Sequence, residues 1–185
     1  MSKIFSLSLY HTSFAPLWLS ILFIDIKSCI ENPLNRWTEL ISIGCILVSF
    51  LMALIVLMVA LCTNGKEGTT PHSVIAASED KTITAEYLLS YILPLFAFDF
   101  TQWSQMVLFL IFYGILGFLC VRHNYFNVNI ILEIVNFRFY TCKVKNEDEQ
   151  LLEQKIISRR RLNGCIGKTL YLKSLNNDYK LDIKQ

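Results

Sequence analysis

Asp99 is the first residue in this chain that invites a chemical reading. It falls inside an apolar stretch, five residues after Pro94. A carboxylate within a membrane span marks an ion or proton path by default. Pro94 has no N–H, so the Ser90 carbonyl would lose its helical partner. Ser90, Pro94 and Asp99 would together form a polar break lining a water path. The competing reading puts Asp99 near the outer headgroups, where solvating a charge costs less, and the balance falls on that side. His11 sits in the first apolar stretch. It is either a proton-sensitive group lining a pore or, the commoner outcome, a hydrogen-bond partner for a neighbouring helix.

Other chemistry-bearing patterns are weaker. Asn163-Gly164-Cys165-Ile166-Gly167-Lys168-Thr169 resembles the end of a phosphate-binding loop. That loop needs a glycine where Leu162 stands, and a helix should follow, whereas Thr169 onward alternates like a strand. Lys155 with Arg159, Arg160 and Arg161 is a basic cluster suited to anionic headgroups, nucleic acid or an acidic protein face; a solvated surface beside the membrane is the simplest account. The three histidines are scattered, no GxSxG occurs, and no carboxylate pair stands out in the polar part. The expectation is a protein that is not an enzyme and holds no cofactor or metal. The six cysteines form no CxxC pair, which argues against a disulfide framework or zinc site.

The elements that must position these residues follow from hydropathy. Of 185 residues 54% are apolar and 17% charged, below the roughly 25% charge of soluble domains. Four apolar segments, about 4–24, 40–62, 84–103 and 106–121, approach the roughly 20 residues that a spanning helix needs. In hydrocarbon the backbone must satisfy itself, so each should be a helix. The expected fold is therefore a mainly α membrane protein: a four-helix transmembrane bundle over 1–122, with a small cytoplasmic α+β domain over 123–185. Residues 1–121 hold five Lys/Arg against eight Asp/Glu, a balance of −3, while 122–185 hold twelve against seven, a balance of +5. The basic excess places the tail, and with it both termini, in the cytoplasm. Residues 63–83 read as one long polar loop. On segment two, Ser42, Cys45, Ser49 and Ala53 recur at helical spacing and give a smooth face for close helix contact. Gly114 and Gly117 do the same on segment four.

In the tail, residues 136–145, 167–175 and 179–184 alternate as strands, the last two joined by Asn176-Asn177-Asp178 as a hairpin turn. Residues 147–161 carry acids first and arginines last, the arrangement a helix dipole favours, and read as a short helix.

Two stretches carry a family resemblance: Glu86-Tyr87-Leu88-Leu89-Ser90-Tyr91-Ile92-Leu93-Pro94-Leu95 with Asp99, and Asn127-Val128-Asn129-Ile130-Ile131-Leu132 with Phe137-Arg138-Phe139-Tyr140-Thr141-Cys142-Lys143. With the size and four-span plan, they make the chain resemble the KwaA membrane subunits of the Kiwa bacterial anti-phage system. The resemblance implies an inner-membrane sensor and scaffold that forms homo-oligomers, tetramers by preference. It also implies recruitment of a cytosolic, DNA-binding, KwaB-like effector, with nucleic acid met only through that partner. Membrane lipids are the other partner expected. Partner contact is expected on the tail, at Lys155, Arg159, Arg160, Arg161, Lys168, Tyr171 and Lys173. The alternative is a small ion channel or transporter subunit built around Asp99 and His11.

Overall fold

A computed structural model describes residues 2–31, 36–62, 69–79, 93–123, 129–145, 151–175 and 179–183. The chain begins with α1 (Ser2–Ser13) and α2 (Ala15–Glu31). Pro16 sits in the first turn of α2, where its missing N–H costs nothing, and it disfavours helical geometry just before it. The two helices accordingly meet at a break and bend by 56°. Next, α3 (Arg36–Cys62) runs for 27 residues, apolar on nearly every side. A short α4 (Leu93–Ala97) precedes α5 (Trp103–His123), and α6 (Ile130–Ile134) leads out of the helical part.

Five strands form a closed barrel: β1 (Thr69–Glu79), β2 (Arg138–Lys145), β3 (Leu151–Ser158), β4 (Thr169–Ser174) and β5 (Tyr179–Ile183). Their order around the barrel is β1-β2-β3-β5-β4. All neighbours are antiparallel except β3 and β5. A 3-10 turn, Leu162–Cys165, lies between β3 and β4 and buries Leu162. This is the strand order of an OB-type barrel. The first half of β1 pairs with β4 and the second half with β2, and an irregularity between Val74 and Ala76 lets the strand turn from one to the other. Bulges serve that bending.

Two findings correct the expected four-helix bundle with a small tail domain. Among the described residues only α3 and α5 are each long and apolar enough to cross a membrane, and the bent α1–α2 pair meets that length and composition only when its two helices are taken together. Segment three contributes the five-residue α4, and residues 84–92 lie outside the described part. The barrel, moreover, is not made from the tail alone. Its β1 comes from 69–79, the stretch that reads as polar loop, and β3 occupies part of the stretch that reads as helix.

The barrel interior is Val74, Tyr140, Cys142, Val144, Ile156, Leu162, Leu170 and Leu172. A strand sends alternate side chains to opposite faces. Phe139 and Ile157 therefore point outward, yet they too are buried, in one cluster with Leu132 of α6 and with Phe5, Leu9 and Leu17 of the first two helices. Tyr179 and Leu181 of β5 belong to the same cluster. Around Phe139, Ile157, Tyr179 and Leu181 the outer face of β2, β3 and β5 thus packs with the helices, and one apolar core continues from helices to barrel.

Candidate functional site at the barrel junction

Asn129 organises the junction. Its side-chain oxygen accepts from the N–H groups of Ile131 and Leu132 at 3.0 and 3.2 Å, capping α6. Its amide donates to the Leu9 carbonyl at 3.1 Å and to Thr12 Oγ1 at 2.8 Å. Thr12 Oγ1 in turn donates to the Ser8 carbonyl at 2.8 Å. One buried side chain so ties α1 to the segment that becomes β2. An asparagine just before an apolar run is a recognisable helix cap, and that signal would have found this residue. Asn136, at φ 62°, then turns the chain from α6 into β2. Left-handed geometry is rare outside glycine and is best tolerated by Asn and Asp.

Charged groups gather where β1 ends and β2 begins. Arg138 pairs with Glu79 of β1 at 2.9 Å and with Glu133 of α6 at 4.0 Å. Those carboxylates, Glu79 foremost, hold the Arg138 guanidinium above its ordinary range. In register Arg138 faces Ser158, the last residue of β3. Ser158 Oγ donates to Asp182 Oδ2 at 2.6 Å, and Arg160 Nε donates to the same oxygen at 2.9 Å. Arg160 Nη2 also bonds Asp182 Oδ1. The Asp182 side chain is 2% exposed, and its hydrogen bond raises the Arg160 guanidinium further. Desolvation pushes the Cys142 thiol up to about 11, with Asp182 adding to the effect. Elsewhere on the barrel, Lys180 Nζ lies 3.1 Å from Nε2 of the buried His72, whose Nδ1 lies 3.0 Å from the Thr70 carbonyl. Burial holds the Lys180 ammonium below the ordinary lysine range.

The sequence-derived residues divide between this junction and other places. Arg160 is committed to Asp182. Arg159 and Arg161 are exposed, and the Arg159 guanidinium carbon lies 4.4 Å over the Phe137 ring. Lys155 lies 5.5 Å over the Tyr179 ring. Lys168 is exposed just before β4, while Tyr171 and Lys173 are half-buried on β4, in register with Pro71 and Thr69.

Within the helices, His11 Nδ1 lies 2.8 Å from Tyr113 Oη, and its ring is 5.1 Å from that of Trp18. His11 Nε2 is buried with no hydrogen-bond partner among the described residues. Ser90 lies outside the described residues. Pro94 is buried in α4. Asp99 is not set on a helix face but in the turn before α5: Oδ1 accepts from the Thr101 N–H at 3.1 Å and Oγ1 at 2.6 Å, and Oδ2 from Gln102 at 3.0 Å. Cys45, Ser49 and Ala53 line an apolar groove of about 740 Å³ between α1 and α3. Ser42 instead donates to the buried Asp25 at 2.7 Å. Gly117 faces the Tyr10 ring, while a Cβ at Gly114 would meet nothing within 4 Å. Among the described residues no group of three or more His, Cys, Asp or Glu could hold a metal ion.

A family model described as "Anti-phage protein KwaA" matches residues 5–181. No curated protein and no solved structure matches the chain.

Proposed function

The chain belongs to the KwaA anti-phage family and so has a role in phage defence, and from that premise we propose that it is a membrane-embedded sensor and scaffold of bacterial cells, not an enzyme. Its helices sit in the inner membrane, both termini face the cytoplasm, and copies associate into a homo-oligomer. The barrel presents a cytosolic, KwaB-like effector with a docking surface, and nucleic acid is met through that effector.

One observation carries this reading: the helices and the barrel share a single core. Leu9 and Phe5 of α1 cluster with Phe139, Ile157 and Leu181 of the strands, and Asn129 bonds α1 directly. Packed interiors resist continuous deformation and shift as units. A disturbance that tilts α1 in the bilayer is therefore transmitted to the barrel wall. The face that OB-type barrels commonly give to oligonucleotides includes strands 2 and 3; here its Phe139–Ile157 end is packed with the helices, which favours a protein partner over direct nucleic-acid binding. The outward side of β4, with half-buried Tyr171 and Lys173 and the exposed Lys168 just before the strand, is the proposed docking surface.

The channel reading has no comparable support. Asp99 spends its carboxylate on the turn before α5.

The test is co-purification from gently solubilised membranes. Tyr171→Ala with Lys173→Glu should lower recovery of the cytosolic partner at least tenfold while membrane insertion is unchanged. Full recovery with both changes would remove the barrel surface from the account.

A further inference from the structure

We propose that Arg159 and Arg161 form a seat for the phosphates of anionic phospholipid headgroups, pressing the barrel against the leaflet from which it hangs. The inference rests on the reading of the apolar helices as membrane-embedded.

Geometry supplies the first reason. The chain enters the barrel from the helical part at β2, whose first residue, Arg138, is in register with Ser158 at the end of β3. β1 ends at the same place, since Glu79 pairs with Tyr140. Arg159 and Arg161 follow Ser158 directly, so they lie at the barrel end joined to the helices. Arg159 is stacked on Phe137, itself part of the core shared with α1. This is continuous with the helix–barrel junction.

Charge supplies the second. The other arginines at this end already have carboxylates: Arg138 has Glu79 and Glu133, and Arg160 has Asp182. Arg159 and Arg161 are exposed, and neither has an ion pair among the described residues. Stacking on Phe137 fixes the Arg159 stem and leaves the donors along its edge free for oxygen acceptors. The chain at this end also exposes apolar side chains: Ile134 is 73% exposed and Ile166, after the 3-10 turn, 56%. Exposed isoleucines interleaved with these exposed arginines match the boundary between headgroups and acyl chains. A nucleic acid would gain from the arginines but not from bare isoleucines, whereas phosphates above an acyl layer use both.

The experiment uses the full chain in lipid nanodiscs, one set of phosphatidylcholine alone and one containing phosphatidylglycerol, with amide hydrogen exchange read over 159–168. Exchange should be slower with phosphatidylglycerol, and the protection should fade in high salt. In Arg159→Gln with Arg161→Gln the protection should fall roughly fivefold for each arginine removed, while exchange in β3 and β5 stays unchanged, showing an intact barrel. Ile166→Ser should weaken the protection with the charge untouched. Equal exchange in both lipids, or protection that survives the double change, would overturn the proposal. So would equal protection in phosphatidylcholine discs given polyglutamate or an oligonucleotide, which would mark the site as a general polyanion surface. Failure of the chain to enter discs at all would instead sink the membrane reading beneath it.

Discussion

Asp182, Arg160 and Ser158 form a buried carboxylate with two donors, only one of which reaches water. Removing the arginine leaves a buried charge short of partners, a change that costs 3–5 kcal/mol when both groups are enclosed. Arg160 is 37% exposed, so solvent screening lowers the figure, and Arg160→Met should cost about 2 kcal/mol. Asp182→Asn should cost less, because the amide oxygen still accepts from Ser158 and the arginine can turn to water. Urea unfolding of the full chain in detergent checks that order; the reverse order would contradict it. Cys142 is enclosed and its thiol sits at about 11, so at pH 8 it carries little thiolate, the reactive form. Maleimide should leave it unlabelled until denaturant is added. Lys180 is depressed by burial, so across the range below the ordinary lysine value the unfolded chain binds more protons than the folded one. Stability should therefore rise as pH climbs from the depressed value toward about 10.4, and Lys180→Met should flatten that rise. A slope unchanged by the substitution would show that other groups cause it.

At the scale of elements, α1 and α5 meet through Tyr10 and Gly117. A Cβ at Gly117 would lie 2.7 Å from the Tyr10 ring. That ring cannot swing freely: its hydroxyl donates to the Tyr113 carbonyl at 2.7 Å, and it packs on Phe14 and Tyr113. Gly117→Ala should then cost 1–3 kcal/mol, in the manner of other overpacked sites, whereas Gly114→Ala should be near neutral or slightly stabilising. Thermal unfolding in detergent separates the two, and equal shifts would count against this contact. The same elements show what a sequence can reveal. β2, β4 and β5 were legible because polar and apolar residues alternate in them. β3 was not, since Ile156 faces the barrel interior while Ile157 faces the helices, and burial on both sides erases alternation. Its flanking acids and arginines also mimic a helix dipole. β1 hid for another reason. Thr69–Glu79 has few large apolar residues, contains Pro71, which is rare inside sheets, and bends near Val74. Of the candidate residues, the arginine cluster was visible as charge, but only the fold separates Arg160, held by Asp182, from Arg159 and Arg161, which have no ion pair among the described residues. The apolar letters around Asp99 left its setting open between a water path and the outer headgroups, because hydropathy does not show that its carboxylate closes the turn before α5.

For the whole molecule, the central claim is that barrel and helices are one body. The barrel closes only when β1, drawn from between the helical segments, pairs with β2 on one side and β4 on the other. Without it both strands expose bare edges and Val74 leaves the core. The interface with α1 would be lost as well if the tail were cut free. The most direct measurement is an amide NMR spectrum of residues 123–185 expressed alone, then with a peptide of residues 69–79 added. The account predicts narrow, collapsed amide dispersion for the fragment alone and partial gain of dispersed strand signals with the peptide. A well-dispersed, cooperatively unfolding spectrum from 123–185 without the peptide would contradict it.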